Sequence, residues 1–558
     1  MVRSQLWFSE QVPPKDGQKQ PVYAISISPD KTKFLAAIGS RVHLYNTEDG
    51  SLISVLKHHT KHVYTVSWAR DSLNFASSGA DKTVILYNQD NQPSLRYSHD
   101  SSVQVLTHSP TDDILVSCCN TEFGIHASDH RVVKKTSIPS KTLSASFSAD
   151  GQFFAIGMFN GVVSIREPKD GKERCAITLT SPISSLCFSP NMDAVQDRLI
   201  IGTADRKLHS YGISGTAIIK TPKSLQFDPL GMKFSRDGKS LFLTGSNKKV
   251  SLWTRDLVYI DDIAEIEDWG WSVEVLGSQQ NLNNINYFVG SNDGTLYSFI
   301  CQIPTVHSLF NDIYVHREHL TSVSTVFLNN LNNSFVINSK DFIKKVAAGP
   351  GRVLVQTLRC IHVYELSTVD NAPTANILNI IHKNIDCSLL TVTTNHFISC
   401  KANVLSCYQF DGSFVRSWSL PGHVRYVRLL PGPIGKESLL IGCKTGQISR
   451  IFVNSSVIVT VVDHHVATRC LDLNPSRDRL AVVDDQRKLT VYDLSQGSAK
   501  VVVSYSNATS VAYNTKYRDM FAYSTATGDV EVVTLGQSSQ SYKSFGFVVG
   551  FIGSKLFF

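Results

Sequence analysis

The chain has 558 residues, of which 42% are hydrophobic and 18% charged, and its 54 Lys and Arg against 47 Asp and Glu give a formal net charge of +7. This apolar content excludes a disordered chain, and so small a charge excess over this length excludes a typical nucleic-acid binder. Because single hydrophobic cores stop growing at about 250–300 residues, the length predicts two large domains.

A pattern of about forty residues recurs along the first half of the chain. Each copy contains an alternating apolar strand that ends in a large residue before a polar turn, as at Trp68 before Ala69 and Arg70. The equivalent anchor positions are Ile27, Trp68, His108, Phe147, Phe188, Phe234 and Leu276. Their spacings of 39 to 46 residues match the WD-repeat period. Seven anchors predict a seven-bladed β-propeller, in which each blade is a four-stranded sheet.

The second half of each repeat carries a strand of small residues, a polar or glycine turn, and an apolar strand that ends in an aromatic residue. The best copies span residues 76–87, 243–253 and 289–296. These segments resemble the WD-repeat superfamily, and the resemblance implies that a buried His, Ser, Asp and aromatic residue bond one another within a blade. The matching residues in the second repeat are His59, Ser77, Asp81 and Tyr87. We interpret this set as a structural network and not as a hydrolase triad.

An extended segment precedes the first repeat. Residues 5–8, Gln-Leu-Trp-Phe, are predicted to pair as the outer strand of the seventh blade and so to close the ring. A half-built blade would expose an apolar sheet edge, which favours aggregation.

The period weakens in the second half, but strands and turns continue to alternate at comparable spacing. We predict domains at residues 1–305 and 306–558, the second a degenerate propeller of six to eight blades. Its candidate blades lie at residues 346–364, 387–410, 424–452, 468–494 and 510–534. Residues 548–558 have the pattern of a further blade with shortened strands. We therefore expect either that the chain is the N-terminal part of a longer protein or that another strand completes this blade.

Longer segments resemble the WD-repeat subunits of intraflagellar transport complex A. They lie at residues 34–45, 154–166, 305–309, 470–484 and 546–550. The resemblance implies two propellers followed by a helical-repeat tail, and a non-enzymatic scaffold that supports retrograde ciliary transport and the entry of membrane proteins into cilia. It implies other complex A subunits as partners, indirect contact with ciliary membrane cargo, and a location in the cytoplasm, the cilium and the ciliary base.

Motifs for chemistry are weak, and we predict no catalytic residue, cofactor or metal site. Gly238-Lys239-Ser240 lacks the first glycine of a phosphate-binding loop. Two histidine groups, His58-His59 with His62 and His464-His465, lack the ligand spacing of zinc sites. Because His59 already belongs to the blade network, we interpret the other histidines as solvated loop residues. Eleven cysteines without C-x-x-C spacing indicate free thiols. No apolar run approaches the ~20 residues of a membrane-spanning helix.

Two groups of residues are candidates for a protein interface, because aromatic and charged side chains are enriched at interface hot spots. The first is Trp269 and Trp271, which follow an acidic run from Asp261 to Asp268. The second is Arg425, Tyr426 and Arg428, near Arg416 and Trp418, which could meet an acidic partner or a membrane surface. A polar blade edge that faces only solvent is the alternative for the acidic run.

Two other functional classes remain open at this stage. A vesicle-coat subunit would share the double propeller, and a propeller enzyme would need convergent acids, bases or metal ligands in its channel. The inner strands are small and apolar, which argues against the enzyme.

Overall fold

The computed structural model describes residues 3–14, 17–127, 133–190, 198–277, 284–369, 372–383, 385–433, 435–544 and 546–557. Every helix or strand in these ranges is a β-strand, and all paired strands within the sheets are antiparallel. The chain divides into two compact units, Met1–Pro304 and Thr305–Phe558. The prediction of an all-β chain is therefore confirmed.

Within its described residues the first unit contains seven four-stranded sheets, which confirms the seven predicted blades. The chain begins with β1 (Arg3–Gln11), and blade 1 follows with β2 (Val22–Ile27), β3 (Lys33–Ile38), β4 (Arg41–Asn46) and β5 (Leu52–Leu56), then blade 2 with β6 (Val63–Trp68), β7 (Phe75–Gly79), β8 (Thr83–Tyr87) and β9 (Pro93–Ser98). Blade 3 contains β10 (Val105–His108), β11 (Ile114–Cys118), β12 (Glu122–Ala127) and β13 (Lys134–Ser137), and blade 4 contains β14 (Thr142–Phe147), β15 (Phe154–Met158), β16 (Val162–Arg166) and β17 (Glu173–Thr178). Blade 5 contains β18 (Ile183–Phe188), β19 (Arg198–Thr203), β20 (Lys207–Gly212) and β21 (Ala217–Ser224), blade 6 contains β22 (Pro229–Phe234), β23 (Ser240–Gly245), β24 (Lys249–Thr254) and β25 (Tyr259–Glu265), and blade 7 contains β26 (Gly270–Val275), β27 (Asn284–Ser291) and β28 (Thr295–Gln302).

Strand β1 supplies the outer strand of blade 7, in the order β1-β28-β27-β26. It pairs antiparallel with β28 from Arg3 opposite Gln302 to Gln11 opposite Thr295, with one bulge between Leu6 and Phe8. The inner strand β26 also contacts β2 of blade 1, so the ring is closed. The predicted closure by residues 5–8 is confirmed.

Aromatic side chains fill the interface between the first and last blades. Phe34 lies fully buried between Tyr45, at a ring-centroid distance of 4.9 Å, and Phe288 of blade 7, at 4.4 Å. Each sheet buries one face against the next blade, so the alternation of apolar residues along the strands becomes a continuous core around the ring.

The turns between the second and third strands combine an acidic residue with a following residue at positive φ. In blade 2 the positive φ of 66° belongs to Lys82. Asp81 precedes it and accepts the Thr83 amide through Oδ1 at 3.2 Å. In blade 7 the position falls on Gly294, at φ 91°, after Asp293. The acid fixes the turn by a side-chain hydrogen bond, and the following residue takes the left-handed conformation.

The second unit contains six four-stranded sheets and a two-stranded one within the described residues. Blade 8 contains β29 (His307–Phe310), β30 (Ile313–His319), β31 (Ser322–Phe327) and β32 (Ser334–Asn338), and blade 9 contains β33 (Ile343–Gly349), β34 (Arg352–Thr357), β35 (Ile361–Val369) and β36 (Ala372–Ile381). Blade 10 contains β37 (Leu389–Val392), β38 (His396–Lys401), β39 (Val404–Gln409) and β40 (Phe414–Ser419), and blade 11 contains β41 (Val424–Leu430), β42 (Ser438–Cys443), β43 (Gln447–Phe452) and β44 (Ile458–Asp463). Blade 12 contains β45 (Thr468–Leu473), β46 (Arg479–Asp484), β47 (Leu489–Asp493) and β48 (Lys500–Tyr505), blade 13 contains β49 (Ala508–Tyr513), β50 (Met520–Thr525), β51 (Asp529–Thr534) and β52 (Gln540–Lys543), and the two-stranded hairpin contains β53 (Gly550–Ile552) and β54 (Lys555–Phe557).

These sheets account for all five candidate blades of the second half and add blade 8, which the sequence analysis missed. The hairpin corresponds to the further blade with shortened strands that was predicted at residues 548–558. The last of these residues, Phe558, lies outside the described ones. It occupies a seventh position in the ring, because β53 contacts β49 on one side. On the other side, a side-chain carbon built at Gly550 would lie 2.8 Å from Leu309 of β29. The second unit is therefore also a propeller, within the predicted range of six to eight blades.

All eleven cysteines lie in the described residues and are free thiols, as predicted. In the same residues no helix is long and apolar enough to cross a membrane.

Candidate functional site

The polar network predicted in blade 2 forms a chain of hydrogen bonds across the sheet. The ring of His59, just before β6, places Nδ1 2.8 Å from Oδ2 of Asp81 and Nε2 2.8 Å from Oγ of Ser77. The Tyr87 hydroxyl at the end of β8 lies 3.4 Å from the same Oγ. The structure therefore brings all four predicted residues together.

Burial decides the protonation of this network. It lowers the pKa of His59 from its ordinary value, and the neighbouring Asp81 carboxylate only partly opposes this shift. Burial opposes ionisation of Asp81 as well, but His59 and the hydrogen bonds from Thr83 and Thr60 keep its pKa below the ordinary value. A carboxylate can only accept hydrogen bonds, so the neutral ring donates from Nδ1 and accepts the Ser77 hydroxyl at Nε2. Ser77 is completely buried, which leaves no path for a substrate to reach it.

Two further histidines make similar networks that the sequence analysis did not identify. In blade 3, His99 places Nε2 2.8 Å from Ser117 Oγ and Nδ1 2.8 Å from Glu122 Oε1. In the second unit, His464 places Nδ1 2.7 Å from the Tyr492 hydroxyl and Nε2 3.2 Å from Asp484 Oδ2.

The interpretation of His464 as a solvated loop residue is wrong, because its side chain is 7% exposed. Its neighbour His465 is solvated, at 82% exposure. The signal was available in the spacing, since His464 and Tyr492 are separated by 28 residues, as are His59 and Tyr87.

Cys119 joins the blade 3 network and forms a group with His99 and Glu122 whose ligand atoms lie within 4.8 Å of one another. This group does not fit a zinc ion. The 2.8 Å between His99 Nδ1 and Glu122 Oε1 is a hydrogen-bond distance, whereas ligands around tetrahedral zinc are separated by about 3.3 Å. Lys135 also pairs with Glu122 at 3.0 Å. Burial alone would raise the pKa of the Cys119 thiol, but hydrogen bonds from His99, Ser101 and two backbone amides lower it to about 6.

The two tryptophans of the first candidate interface lie in blade 7. Trp269 precedes β26 and is 45% exposed, and its ring centroid is 6.4 Å from that of Trp271. The Trp271 indole donates from Nε1 to Asn292 Oδ1 at 3.1 Å. Asp268 beside them accepts from Lys19 Nζ at 2.8 Å. Trp269 is therefore the exposed member of the pair, and Trp271 is held by the blade.

The acidic run before the tryptophans includes the outer strand β25. Lys249 of the neighbouring strand lies 3.3 Å from Asp262 and 3.5 Å from Glu265. Lys249 thus balances part of the negative charge of the acidic run within the blade.

The second candidate group does not form one exposed patch. Arg425 is exposed and donates from Nη2 to Asp485 Oδ2 at 2.7 Å. Tyr426 and Arg428 lie on the inner strand β41, and Nη1 of Arg428 is 3.1 Å from Oδ1 of Asp472, which is 2% exposed. Burial raises the pKa of the Tyr426 hydroxyl.

Trp418 is also not an exposed aromatic residue. Its side chain is 2% exposed and donates from Nε1 to the Ser455 carbonyl at 2.8 Å. Within this group, Arg425 has an exposed side chain, at 47%.

Comparison with known proteins matches both units in chain order. The family described as IFT122 first beta-propeller matches residues 21–299, and IFT122 second beta-propeller matches residues 307–558. The chain belongs to the IFT122 family. Similar IFT122-family proteins include the intraflagellar transport protein 122 homologs of Xenopus tropicalis, 36% identical over all of this chain, and of Mus musculus, 34% identical over 97% of it. The homolog of Danio rerio is 34% identical over all of this chain.

This IFT122-family chain spans about half the length of the curated relatives it matches, since the alignments cover 46%, 45% and 46% of those proteins.

The blade 2 network makes a stability prediction for this IFT122-family chain. His59→Ala removes the 2.8 Å partner of the fully buried Ser77 hydroxyl, which keeps Tyr87 at 3.4 Å, and one partner of Asp81. An unsatisfied buried polar group costs about 1–3 kcal/mol, so we expect the free energy of unfolding to fall by about 2 kcal/mol. Urea unfolding of the chain measures it, with the exposed His465→Ala as the control. Equal midpoints for the two variants would contradict a stabilising role for the network.

The thiol of Cys119 makes a second prediction for the IFT122-family chain. Because its folded-state pKa is about 6, it is a thiolate at neutral pH. We expect an ultraviolet thiolate absorbance step near pH 6 that disappears in Cys119→Ser. Cys118→Ser is the matched control, since burial raises the pKa of that adjacent thiol. A titration that Cys119→Ser leaves unchanged would show that the hydrogen bonds do not stabilise the thiolate.

Proposed function

We propose that this chain is a non-enzymatic scaffold subunit of intraflagellar transport complex A, which supports retrograde ciliary transport and the entry of membrane proteins into cilia. The observation that carries the proposal is the match to intraflagellar transport protein 122 homologs along nearly the whole chain, across both propellers. The partners are other complex A subunits, with ciliary membrane cargo contacted through the assembled complex. The protein acts in the cytoplasm, at the ciliary base and in the cilium.

The physical basis of a scaffold is the rigidity of each ring. Every blade is tied to its neighbours by a continuous apolar core, so its turns and outer strands hold fixed positions. The buried His, Ser and Asp groups of blade 2 hydrogen-bond one another and support the sheet. Fixed surfaces of this kind bind partners without chemistry.

Co-purification tests the proposed role. We expect the tagged chain, expressed in cells that build cilia, to recover the other complex A subunits and to localise to the ciliary base and cilium. The control is a tagged WD-repeat protein outside the family. Recovery of vesicle-coat subunits instead, or of no complex A subunit, would overturn the proposal. A hydrolase screen on the purified chain tests the enzyme alternative, and turnover would also overturn it.

We propose Trp269 and Arg425 as contact residues on the two units. Both are exposed, and aromatic and arginine side chains dominate binding energy at interfaces. Trp269→Ala and Arg425→Ala are each expected to reduce recovery of complex A subunits. Phe159→Ala is the matched control, because that side chain is 58% exposed but lies on blade 4. Full recovery with either variant would exclude that residue as a contact.

A further inference from the structure

A groove of about 700 Å³ runs between blade 7 and blade 1 of the first unit. Its walls come from β1, β27 and β28 on one side and from the turns and outer strand of blade 1 on the other. This is the place where the ring closes, where β1 pairs with β28 in blade 7 and β2 of blade 1 contacts β26.

One end of the groove is apolar and exposed. Trp7 lies in the bulge between Leu6 and Phe8, where it has no register partner on β28. A bulge turns a side chain out of the regular alternation of a strand. Trp7 is 40% exposed and lines the groove with Ile53 of β5, which is 47% exposed.

Two cations from different blades lie near Gly277, which also lines the groove. The Nζ atom of Lys31 lies 3.8 Å, and the Cβ atom of Arg236 3.7 Å, from the position of a side-chain carbon built at Gly277. Burial and then the neighbouring Arg236 lower the pKa of Lys31. The two positive charges repel each other, so a bound anion would relieve the repulsion.

No acid within the described ranges pairs with these two cations, since no carboxylate oxygen lies within 4.0 Å of either. Asp30 is engaged by the Ser28 hydroxyl at 2.5 Å and by the Thr32 hydroxyl at 2.9 Å. Among its described lining residues the groove has Lys31 and Lys33 against the single acid Glu48, so positive charge is in excess. Residues 278–283, next to Gly277 and outside the described ranges, contain no acidic side chain in the sequence.

We propose that this groove binds a linear segment of a partner protein that carries a carboxylate near a large apolar side chain. The apolar side chain packs between Trp7 and Ile53, and the carboxylate neutralises Lys31 and Arg236. The inference goes beyond the proposed function and does not depend on it, because it rests on the geometry of the first unit alone.

Selection from a displayed library of random peptides against the purified chain tests the proposal. We expect the enriched peptides to share an Asp or Glu near a large apolar residue. Loss of a charge-assisted contact weakens binding by about tenfold, so Lys31→Gln and Arg236→Gln are each expected to raise the Kd of an enriched peptide by that factor. Ile53→Ser tests the apolar end. Lys220→Gln, an exposed cation on β21 of blade 5, is the matched control.

Thermal unfolding of each variant separates a folding defect from a binding defect, since these side chains are on the surface. Enrichment of no peptide, of peptides without an acid, or of peptides whose Kd the groove variants leave unchanged would overturn the proposal. Preferential binding of a phosphorylated control peptide over its Asp or Glu counterpart would assign the groove to phosphate instead. None of these outcomes bears on membership of complex A, which co-purification tests separately.

Discussion

Deletion of residues 1–11 is expected to lower the melting temperature of the first unit by roughly 10 °C. The deletion removes the eight register positions that β1 shares with β28 and the hydrogen bond between the Tyr287 hydroxyl and Ser4 at 2.8 Å. At about 0.5–1.5 kcal/mol for each backbone hydrogen bond, the loss is about 5 kcal/mol. Calorimetry of the chain measures the shift, and light scattering measures the aggregation expected from the exposed edge of β28.

The control is Leu6→Ala, which keeps the backbone pairing of β1 and changes a side chain that is 49% exposed. We expect it to change the melting temperature by a small fraction of the deletion's effect. If the deleted chain melts at the same temperature as the full chain, β1 does not hold the ring closed.

Asp472→Ala is expected to lower the free energy of unfolding of the second unit by about 3 kcal/mol. Asp472 is almost completely buried and accepts from Arg428 of the preceding blade and from the Tyr513 amide of the next at 2.8 Å. Its removal leaves the Arg428 charge without a partner in the channel. The estimate lies at the low end for buried pairs because the Arg428 side chain keeps 35% exposure.

A matched pair on the same two blades provides the control. Asp485→Ala removes the partner of Arg425, but both side chains are exposed, at 41% and 47%. Exposed pairs contribute about 0.2–1 kcal/mol, so denaturant unfolding should separate the two variants clearly. The double variant Asp472→Ala with Arg428→Met is expected to recover part of the loss, because it removes the unpaired charge. Equal effects for Asp472→Ala and Asp485→Ala would show that burial does not strengthen the pair.

The anchors predicted the fold because they mark where the inner strand of each blade ends. Trp68 is the last residue of β6 and Phe234 the last of β22, while Leu276 follows the last residue of β26. Blade 8 could not be predicted from the repeat because its strands do not carry the anchor and turn, and they include polar residues such as Arg317 on β30. The degenerate period of the second half still located the other five complete blades.

The blade 2 network could be predicted because its four residues lie within one repeat, and the repeat fixes their spacing. Arg428 and Asp472 are 44 positions apart, on inner strands of adjacent blades. Nothing in either local segment indicates that they meet, so Arg428 was assigned to an exposed patch.

The period, the strands and the closing segment could be predicted from the amino-acid sequence, because alternation and turns are local properties that each repeat carries separately. Which polar groups meet across blades, and which side chains remain outside, depends on how the folded blades pack. The groove lined by Trp7, Lys31 and Ile53 exists because the ring returns the seventh blade to the first. Such neighbours are set by the packing of whole sheets, which no local pattern records.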